Sequence, residues 1–320
     1  MHKTSKIFIA GHNGLVGSAI TRKLNDLGYI NLVVRTKKEL NLLTQIDVSN
    51  FFKNERPEYV FLAAAKVGGI LVNNIKPAQF IYENLMIQSN VIHSSFINNV
   101  KRLMFFGSTC IYPKNSCQPI SESSLLTGEL EKTNEPYAVS KIAGIKMCES
   151  YNREFKTDFR SIMPTNLYGI NDNFDPNDSH VVAALIKKFH EAKINGSKTV
   201  EVWGSGEPMR EFMHVDDLAD AAVFLMKLDK SIYEKFVSPT SSHINVGTGT
   251  DCSIKYLAEL IKKITDFKGD IKFDKSKPDG TYRKQVDTKL LTKMGWKSKI
   301  ELEKGLQETY EWCKEKVFKL

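Results

Sequence analysis

The sequence is poor in cysteine and has no long apolar run. Its five cysteines are odd in number and scattered, without a C-x-x-C pair; they are Cys110, Cys117, Cys148, Cys252 and Cys313. This pattern argues against both a disulfide framework and a zinc site. No apolar run reaches the ~18 residues of a membrane span, and the polar N-terminus lacks the pattern of a signal peptide. These absences predict a protein of the reducing cytoplasm with neither a membrane partner nor a metal.

Dense basic runs and nucleic-acid-binding motifs are absent as well. The formal net charge is +8, with 45 lysines and arginines against 37 acidic residues, but the lysines are dispersed along the chain. A dispersed surplus of positive charge does not form the basic stripe that nucleic acid requires. It suits a protein whose small ligands carry phosphates. We therefore expect phosphate-bearing ligands and no nucleic acid.

Short apolar runs alternate with helical patterns through the first half of the chain. The predicted strands cover 7–10, 32–34, 59–63, 102–106 and 160–163, and the helical patterns between them cover 18–27, 46–54, 77–98 and 137–155. Strands that alternate with helices form a parallel sheet with helices on both faces. Ligands of such a sheet bind outside the carboxyl ends of its strands. The predicted site therefore lies in the loops at 64–69, 107–110 and 164–168.

A glycine-rich turn follows the first predicted strand. The segment reads Gly11-His12-Asn13-Gly14-Leu15-Val16-Gly17, and a helical pattern follows it directly. Strand, glycine turn and helix are the context of a dinucleotide-binding fingerprint. The glycines allow a tight turn and let the backbone approach a pyrophosphate at the helix N-terminus. The sequence predicts an α/β protein with a Rossmann doubly wound parallel sheet that binds a dinucleotide.

The end of the second predicted strand favours one dinucleotide over another. Arg35, Lys37 and Lys38 follow that strand. An NAD site holds the ribose 2′-hydroxyl with an acidic residue here, whereas positive charge suits the 2′-phosphate of NADP. The alternative is that these are solvated loop residues. We expect NADP.

Tyr137 and Lys141 lie one helical turn apart on the same face of a predicted helix. A neighbouring ammonium is expected to bring the phenol pKa, ordinarily near ~10, toward a range useful for proton transfer. Such a pair on its own is common on solvated helix surfaces. Ser108 lies in one of the predicted site loops, about thirty residues earlier. A serine and a tyrosine that bind one carbonyl oxygen, with a lysine beside them, predict a carbonyl-reducing site.

The rest of the chain predicts a second, smaller mixed α/β domain. A polar loop at 171–179 leads into a helix at 180–193, and a strand at 200–203 is followed by the segment 208–217 and a helix at 218–228. A last sheet strand is predicted at 244–247. We assign 1–168 and 214–248 to the dinucleotide-binding domain, and 169–213 and 249–320 to the substrate-binding domain.

Several phrases carry a family resemblance. Besides the glycine turn, Ser108 and the Tyr137–Lys141 pair, they are the segments 63–70, 110–114, 133–138, 163–169, 177–181, 203–206 and 210–217, the last reading Arg-Glu-Phe-Met-His-Val-Asp-Asp. With these, the chain resembles the extended short-chain dehydrogenase/reductase family, whose members mostly act on nucleotide sugars. Within that family it is most similar to the epimerase–reductases of GDP-4-keto-6-deoxy-D-mannose.

The resemblance implies a set of site residues. Ser108, Tyr137 and Lys141 match the reductase triad, and Cys110 and His180 match the acid–base pair that inverts C3 and C5. The GDP-sugar is implied to contact Lys188, Trp203, Arg210 and Asp279, and an arginine often stands in the family where Lys188 stands here. NADP is implied to contact Gly11, His12, Asn13, Gly14, Leu15, Val16, Gly17, Lys37, Asn41, Leu42, Phe106, Gly107, Ser108, Thr109, Lys141, Pro164, Thr165, Asn166, Leu167 and His180.

Asn13 is a departure from the family pattern. It replaces an arginine that helps to hold the 2′-phosphate, and we expect Arg35, Lys37 or Lys38 to compensate. Cys110 is two residues past Ser108, so in an extended segment both side chains would point the same way. The plain alternatives are a small buried hydrophobe for Cys110 and a polar surface residue for His180.

The resemblance also implies a homodimer, in which the helices at 77–98 and 137–155 form a four-helix bundle across a two-fold axis. Two other functions stay open. One is a C4-reductase that acts on a related GDP-sugar, such as a heptose, without inverting C3 or C5. The other is a non-catalytic dinucleotide sensor, which would have no use for Ser108, Tyr137 and Lys141 together.

Overall fold

A computed structural model describes residues 1–175, 179–277 and 279–318. The strands in this part of the chain are β1 (Ile7–Ala10), β2 (Leu32–Val33), β3 (Tyr59–Leu62), β4 (Arg102–Phe106), β5 (Phe159–Pro164), β6 (Asn166–Tyr168), β7 (Thr199–Trp203), β8 (Met209–His214), β9 (His243–Val246), β10 (Asp251–Ser253), β11 (Asp270–Asp274) and β12 (Arg283–Lys284). The helices are α1 (Leu15–Asp26), α2 (Gln45–Glu55), α3 (Ile70–Ile75), α4 (Pro77–Ile97), α5 (Glu135–Phe155), α6 (Val181–Ile194), α7 (Val215–Lys227), α8 (Lys230–Tyr233), α9 (Ile254–Thr265), α10 (Lys289–Lys293) and α11 (Leu302–Lys316). Short 3-10 helices cover Thr109–Ile111, Glu122–Ser124 and Lys132–Asn134.

The main sheet has the strand order β2-β1-β3-β4-β5-β9, and every pair in it is parallel. Residues of α1 and α7 pack on one face, and residues of α2, α4 and α5 pack on the other. Both faces are covered, so strands such as β1 and β5 are buried along their whole length. The predicted α/β architecture with a doubly wound parallel sheet is confirmed.

A second group of strands lies beside the main sheet. β8 pairs antiparallel with β10 and parallel with β12 and β6, while β7 and β11 form a parallel pair. A separate apolar cluster joins α6, α9 and α11 to these strands through residues such as Phe189, Leu257 and Leu306. This mixed α/β arrangement is the one predicted for the second half of the chain, whereas the proposed domain boundaries stay a prediction.

Three local predictions differ from the structure. Helix α1 begins at Leu15, inside the glycine segment, rather than at residue 18. The segment before α7 is the strand β8, and α7 begins at Val215 rather than at residue 218. The reason for the earlier start is a cap, because the side chain of His214 accepts a hydrogen bond from the backbone N–H of Asp216 at 3.3 Å.

In the part of the chain that the structure describes, no helix has the length and apolarity to cross a membrane.

Candidate active site

The glycine segment forms a closely packed turn between β1 and α1. Gly11 has a φ of +86°, which favours glycine, and a Cβ at this position would lie 2.8 Å from the backbone of Ala64. A Cβ at Gly17 would lie 2.1 Å from the carbonyl oxygen of Gly11. The first helical N–H groups of α1 have no side-chain cap. The turn therefore offers unpaired N–H groups and a helix N-terminus to a pyrophosphate, so these residues fit a dinucleotide.

The basic residues after β2 differ in what they contact. The guanidinium of Arg35 donates to the carboxylate of Glu55 at 2.6 Å and to the carbonyl of Val34 at 2.8 Å. Lys37 and Lys38 are exposed, as is Asn13. Glu55 thus neutralises part of the charge that Arg35 would offer, and compensation for Asn13 by Arg35, Lys37 or Lys38 stays a prediction. Lys37 and Lys38 are exposed cations in the same loop.

The other positions implied to hold NADP line the carboxyl edge of the main sheet. Asn41 caps the turn before α2 through Leu43 and Thr44, and the carbonyl of Leu42 accepts a hydrogen bond from Asn90. Between β5 and β6, the hydroxyl of Thr165 and the side-chain amide of Asn166 both donate to the backbone carbonyl of Glu211, at 3.1 and 2.8 Å. The end of β4, with Phe106 and Gly107, continues into the loop that carries Ser108.

Ser108 and Cys110 lie at the start of a short 3-10 helix. The backbone N–H of Cys110 donates to the hydroxyl of Ser108 at 3.3 Å, so Ser108 caps this turn. The prediction of an extended segment here is wrong, because capping turns the chain. The side chain of Cys110 is buried rather than solvated. Burial raises the pKa of the Cys110 thiol, while the charge of Lys284, the Ser108 hydroxyl and the charge of Lys141 act in the opposite direction.

Tyr137 and Lys141 are both in the first two turns of α5; Lys141 is buried and Tyr137 is half-buried. The ammonium of Lys141 donates to the carbonyl of Phe106 at 2.8 Å and lies 5.8 Å from the centroid of the Tyr137 ring. Burial raises the pKa of Tyr137, and the nearby Cys110 raises it further, whereas the Ser108 hydroxyl lowers it. The expected lowering by Lys141 is therefore wrong in this structure. Tyr137 is held as a neutral phenol, which is the form that can donate a proton.

His180 immediately precedes α6. Its backbone carbonyl accepts the N–H of Ala184 at 2.9 Å, and its side chain is exposed. His180 belongs to the segment 177–181, which carries part of the family resemblance. Asn177 and Asp178 of that segment lie outside the described residues. The structure thus brings the half-buried Ser108 and Tyr137 together with the buried Cys110 and Lys141 in one cluster. It places His180 at a helix start.

Trp203 carries two cations on an exposed ring at the end of β7. The ammonium of Lys188 lies 5.4 Å from a ring centroid of Trp203, and that of Lys277 lies 5.5 Å from it. Lys188 also donates to the carbonyl of Glu201 at 3.1 Å. Trp203 is 58% exposed, which is unusual for so large an apolar side chain. An exposed aromatic ring beside two ammonium groups can stack on a base and attract phosphate.

Arg210 and Asp279 lie near one another beside this tryptophan. The carboxylate of Asp279 accepts hydrogen bonds from the backbone N–H of Ser205 at 2.6 Å and from the Ser205 hydroxyl at 2.8 Å. Gly204, with a φ of +86°, leaves room for that carboxylate, because a Cβ there would lie 2.3 Å from it. Arg210 donates to the carbonyl of Met209 at 2.8 Å and lies close enough to Asp279 for their charges to interact.

The structure adds Lys284, which the sequence analysis did not find. Lys284 is in β12, directly opposite Arg210 of β8. Burial lowers the pKa of Lys284, and the charge of Cys110 opposes that effect. Lys284 therefore lies near the Cys110 thiol. Its sequence neighbours carry no motif, and β12 has only two residues, so no local pattern could have identified it.

The parallel sheet, the glycine turn and the Ser–Tyr–Lys cluster at the carboxyl edge of the sheet are the features of a dinucleotide-dependent oxidoreductase. The model of the NAD-dependent epimerase/dehydratase family matches residues 7–247, and the chain belongs to that family.

Several named proteins are similar to this chain over almost its full length. The chain is 56% identical over 307 residues to a GDP-L-fucose synthase of Escherichia coli (strain K12), covering 96% of each chain. It is 58% identical over 317 residues to a putative GDP-L-fucose synthase 2 of Arabidopsis thaliana, covering 99% of this chain and 94% of the relative. A solved structure of a GDP-mannoheptose C4 reductase from Campylobacter jejuni with NADP bound superposes with a TM-score of 0.90 at 44% identity, covering 98% of this chain and 99% of that one.

Proposed function

We propose that this protein converts GDP-4-keto-6-deoxy-D-mannose to GDP-L-fucose by inverting C3 and C5 and then reducing C4 with NADPH. The observation that carries the proposal is the cluster in which Ser108, Cys110, Tyr137 and Lys141 converge. A reductase needs the serine, tyrosine and lysine; an epimerase also needs a proton-transferring group beside the same carbonyl. The identity of 56% to a GDP-L-fucose synthase over almost the full length supports the same reaction.

NADPH, when bound, supplies the hydride that reaches C4 of the sugar. The turn from Gly11 to Gly17 is suited to its pyrophosphate, and the exposed Lys37 and Lys38 to its 2′-phosphate. The NADP-bound heptose reductase has the same fold, which supports this choice of cofactor. Lys141, already held by the carbonyl of Phe106, is positioned at the boundary between the cofactor loops and the catalytic cluster.

Inversion depends on the acidity that the 4-keto group gives to C3 and C5. Loss of a proton from either carbon produces an enolate whose negative charge resides on the C4 oxygen. Cys110 and His180 are the two groups that remove and return these protons from opposite faces of the ring. Ser108 and Tyr137 donate hydrogen bonds to the C4 oxygen and so stabilise the charge that develops there.

Reduction uses the same oxygen. Hydride adds to C4, and the C4 oxygen takes a proton from the phenol of Tyr137. Because burial and the nearby Cys110 raise the pKa of Tyr137, the phenol keeps its proton until the alkoxide forms. The Lys141 ammonium stabilises the tyrosinate that remains. One pair of donors, Ser108 and Tyr137, thus serves both the enolate and the alkoxide.

The GDP moiety is assigned to the surface beside Trp203. Lys188 and Arg210 are cations there that can neutralise the diphosphate. Lysine at position 188 offers a point charge rather than the planar fork of an arginine. The exposed Trp203 ring can cover the nucleobase, and Asp279 offers a carboxylate to its N–H groups.

A homodimer through α4 and α5 is part of the proposal. These two helices pack against each other and carry large apolar side chains that are exposed in the monomer, namely Tyr82, Ile97, Val139 and Phe155. A four-helix bundle across a two-fold axis would cover them. Light scattering should give about twice the mass of one chain, and charge introduced at Tyr82 should shift it toward the monomer.

Turnover in deuterated water tests the catalytic proposal. GDP-4-keto-6-deoxy-D-mannose and NADPH should yield GDP-L-fucose that carries solvent deuterium at both C3 and C5. Reduced product without that label would disprove the epimerase half and leave a C4-reductase. The likeness to a heptose C4 reductase makes that the second candidate, so a GDP-4-keto-heptose should be compared as substrate. Dinucleotide binding without turnover of either sugar would exclude both enzymes.

A further inference from the structure

Glu211 is a fully buried carboxylate for which the proposed chemistry has no use. It lies in the middle of β8 with none of its surface exposed, directly after the arginine assigned to the diphosphate. A buried charge is costly unless several hydrogen bonds satisfy it. Its partners therefore show what the residue holds in place.

The carboxylate accepts hydrogen bonds from two segments that are far from β8 in sequence. One oxygen accepts the N–H of Gly249 at 2.7 Å and, more weakly, the hydroxyl of Thr248 at 3.4 Å. The other accepts the N–H of Val286 at 2.9 Å. A Cβ at Gly247 would lie 2.3 Å from the first oxygen, so the chain closes tightly around the group. Glu211 thus joins the loop after β9 and the segment after β12 to β8.

These two contacts border residues of the candidate site. Val286 is two residues beyond Lys284, and Lys284 is paired in β12 with Arg210 of β8. β12 contributes only two residues to the sheet, and its ladder with β8 is correspondingly short. The hydrogen bond from Val286 to Glu211 adds one further attachment to β8, in the segment that follows β12.

The backbone of Glu211 has a separate role on the cofactor side. Its carbonyl oxygen accepts from the side chains of Thr165 and Asn166. A change confined to the carboxylate leaves this carbonyl in place. The side chain and the main chain of one residue therefore hold different halves of the site.

We propose that Glu211 is a positioning residue whose carboxylate fixes Lys284 and Arg210 where the GDP-sugar binds, without contacting the sugar itself. The proposal rests on the proposed function. Glu211→Gln keeps the size of the side chain but places an amide N–H₂ group against either the N–H of Val286 or that of Gly249. Two donors then face each other, and the end of β12 has to move.

The test compares ligand affinities in Glu211→Gln with those in a matched control. Asp217 is also a buried carboxylate, and one of its oxygens accepts the backbone N–H groups of Lys299 and Ile300, at 2.8 and 2.9 Å. Asp217→Asn removes a comparable buried charge from a different junction. For each protein, calorimetry measures the Kd of GDP, nucleotide fluorescence measures the Kd of NADPH, and steady-state kinetics measure KM and kcat with the keto sugar.

In Glu211→Gln we expect the Kd of GDP and the KM of the keto sugar to rise at least tenfold, with the Kd of NADPH within twofold of wild type. In Asp217→Asn both affinities should stay within twofold. A GDP affinity that is unchanged in Glu211→Gln, or GDP and NADPH affinities that fall by the same factor, would overturn the proposal. If Glu211→Gln does not fold, Glu211→Asp takes its place, because it withdraws the same charge by one methylene. In that variant the Kd of GDP must rise at least tenfold while the Kd of NADPH stays within twofold of wild type. A wild-type protein that binds GDP but does not turn over the keto sugar would disprove the proposed function and leave the GDP measurement as the test of Glu211.

Discussion

Replacing Gly17 by alanine tests whether the glycine turn is built as the structure describes. The added Cβ would stand 2.1 Å from the carbonyl oxygen of Gly11, 2.6 Å from its carbonyl carbon and 2.8 Å from the Cα of His12. All three atoms are backbone, so no side chain can rotate away. Ordinary contact begins near ~3.5 Å. The turn or the helix therefore has to move by more than about an ångström.

The cost follows from that displacement. Overpacking a close contact typically costs about 1–3 kcal/mol, and a backbone clash belongs at the upper end. At roughly 2 °C per kcal/mol, Gly17→Ala should lower the Tm by about 5 °C or more. Misplacing the binding turn by an ångström should also weaken NADPH binding and slow C4 reduction, the latter on the order of 10²-fold.

Gly14→Ala is the matched control in the same turn. A Cβ at Gly14 would meet only the Gly11 carbonyl oxygen, at 3.5 Å, and its φ of −83° suits alanine. This variant should keep the wild-type Tm. Any loss of NADPH affinity should come only from contact between the added methyl group and the bound pyrophosphate. Differential scanning fluorimetry and NADPH titration measure both quantities. If Gly17→Ala has the Tm of the wild type, or if Gly14→Ala loses as much, the packing argument fails.

Three further predictions concern single side chains. Tyr137→Phe should lower the rate of C4 reduction by about 10²–10⁴-fold with little change in NADPH affinity, since only the proton donor is lost; equal losses in both would contradict this role. Burial lowers the pKa of Lys141 to about 8, so kcat should fall as the pH rises through that value and the ammonium deprotonates, and a flat profile to pH 10 would refute it. Lys23, Trp296 and Lys299 together lower the pKa of Asp220 to about 2 against the effect of its burial, so their stabilisation is present above the ordinary value near ~3.8 and is lost as the pH falls toward 2. Asp220→Asn should therefore lower the Tm at pH 7 but hardly at pH 2, as measured by calorimetry.

The main sheet could be predicted because its signals are local. Each strand of the Rossmann part is a short apolar run followed by a helical pattern, and the glycine segment marks where the first strand ends. Strand β8 was missed for the opposite reason. Its partners β6, β10 and β12 come from distant parts of the sequence, and the segment that forms it leads directly into a helix. Only tertiary pairing makes it a strand.

The site was predictable where a residue type has a recognisable spacing, as for Tyr137 and Lys141. Spacing did not predict the direction in which the pKa of Tyr137 is shifted. That direction depends on the burial of Tyr137 and on Cys110 and Ser108, which come from another loop. Nor could it give Lys284, which reaches Cys110 only through the pairing of β12 with β8. Nor could it give the ion pair of Arg35, since its partner Glu55 is twenty residues away on α2.

The glycine turn also separates what can change in this protein from what cannot. At positions 11 and 17 any side chain would collide with the protein's own backbone, so a library randomised there should return almost only glycine. Asn13, between them, has an exposed side chain. A library at position 13, selected on NADH instead of NADPH, could therefore alter the choice of electron donor without disturbing the fold. The preference for NADPH over NADH would then be a property that evolution can change through one exposed residue.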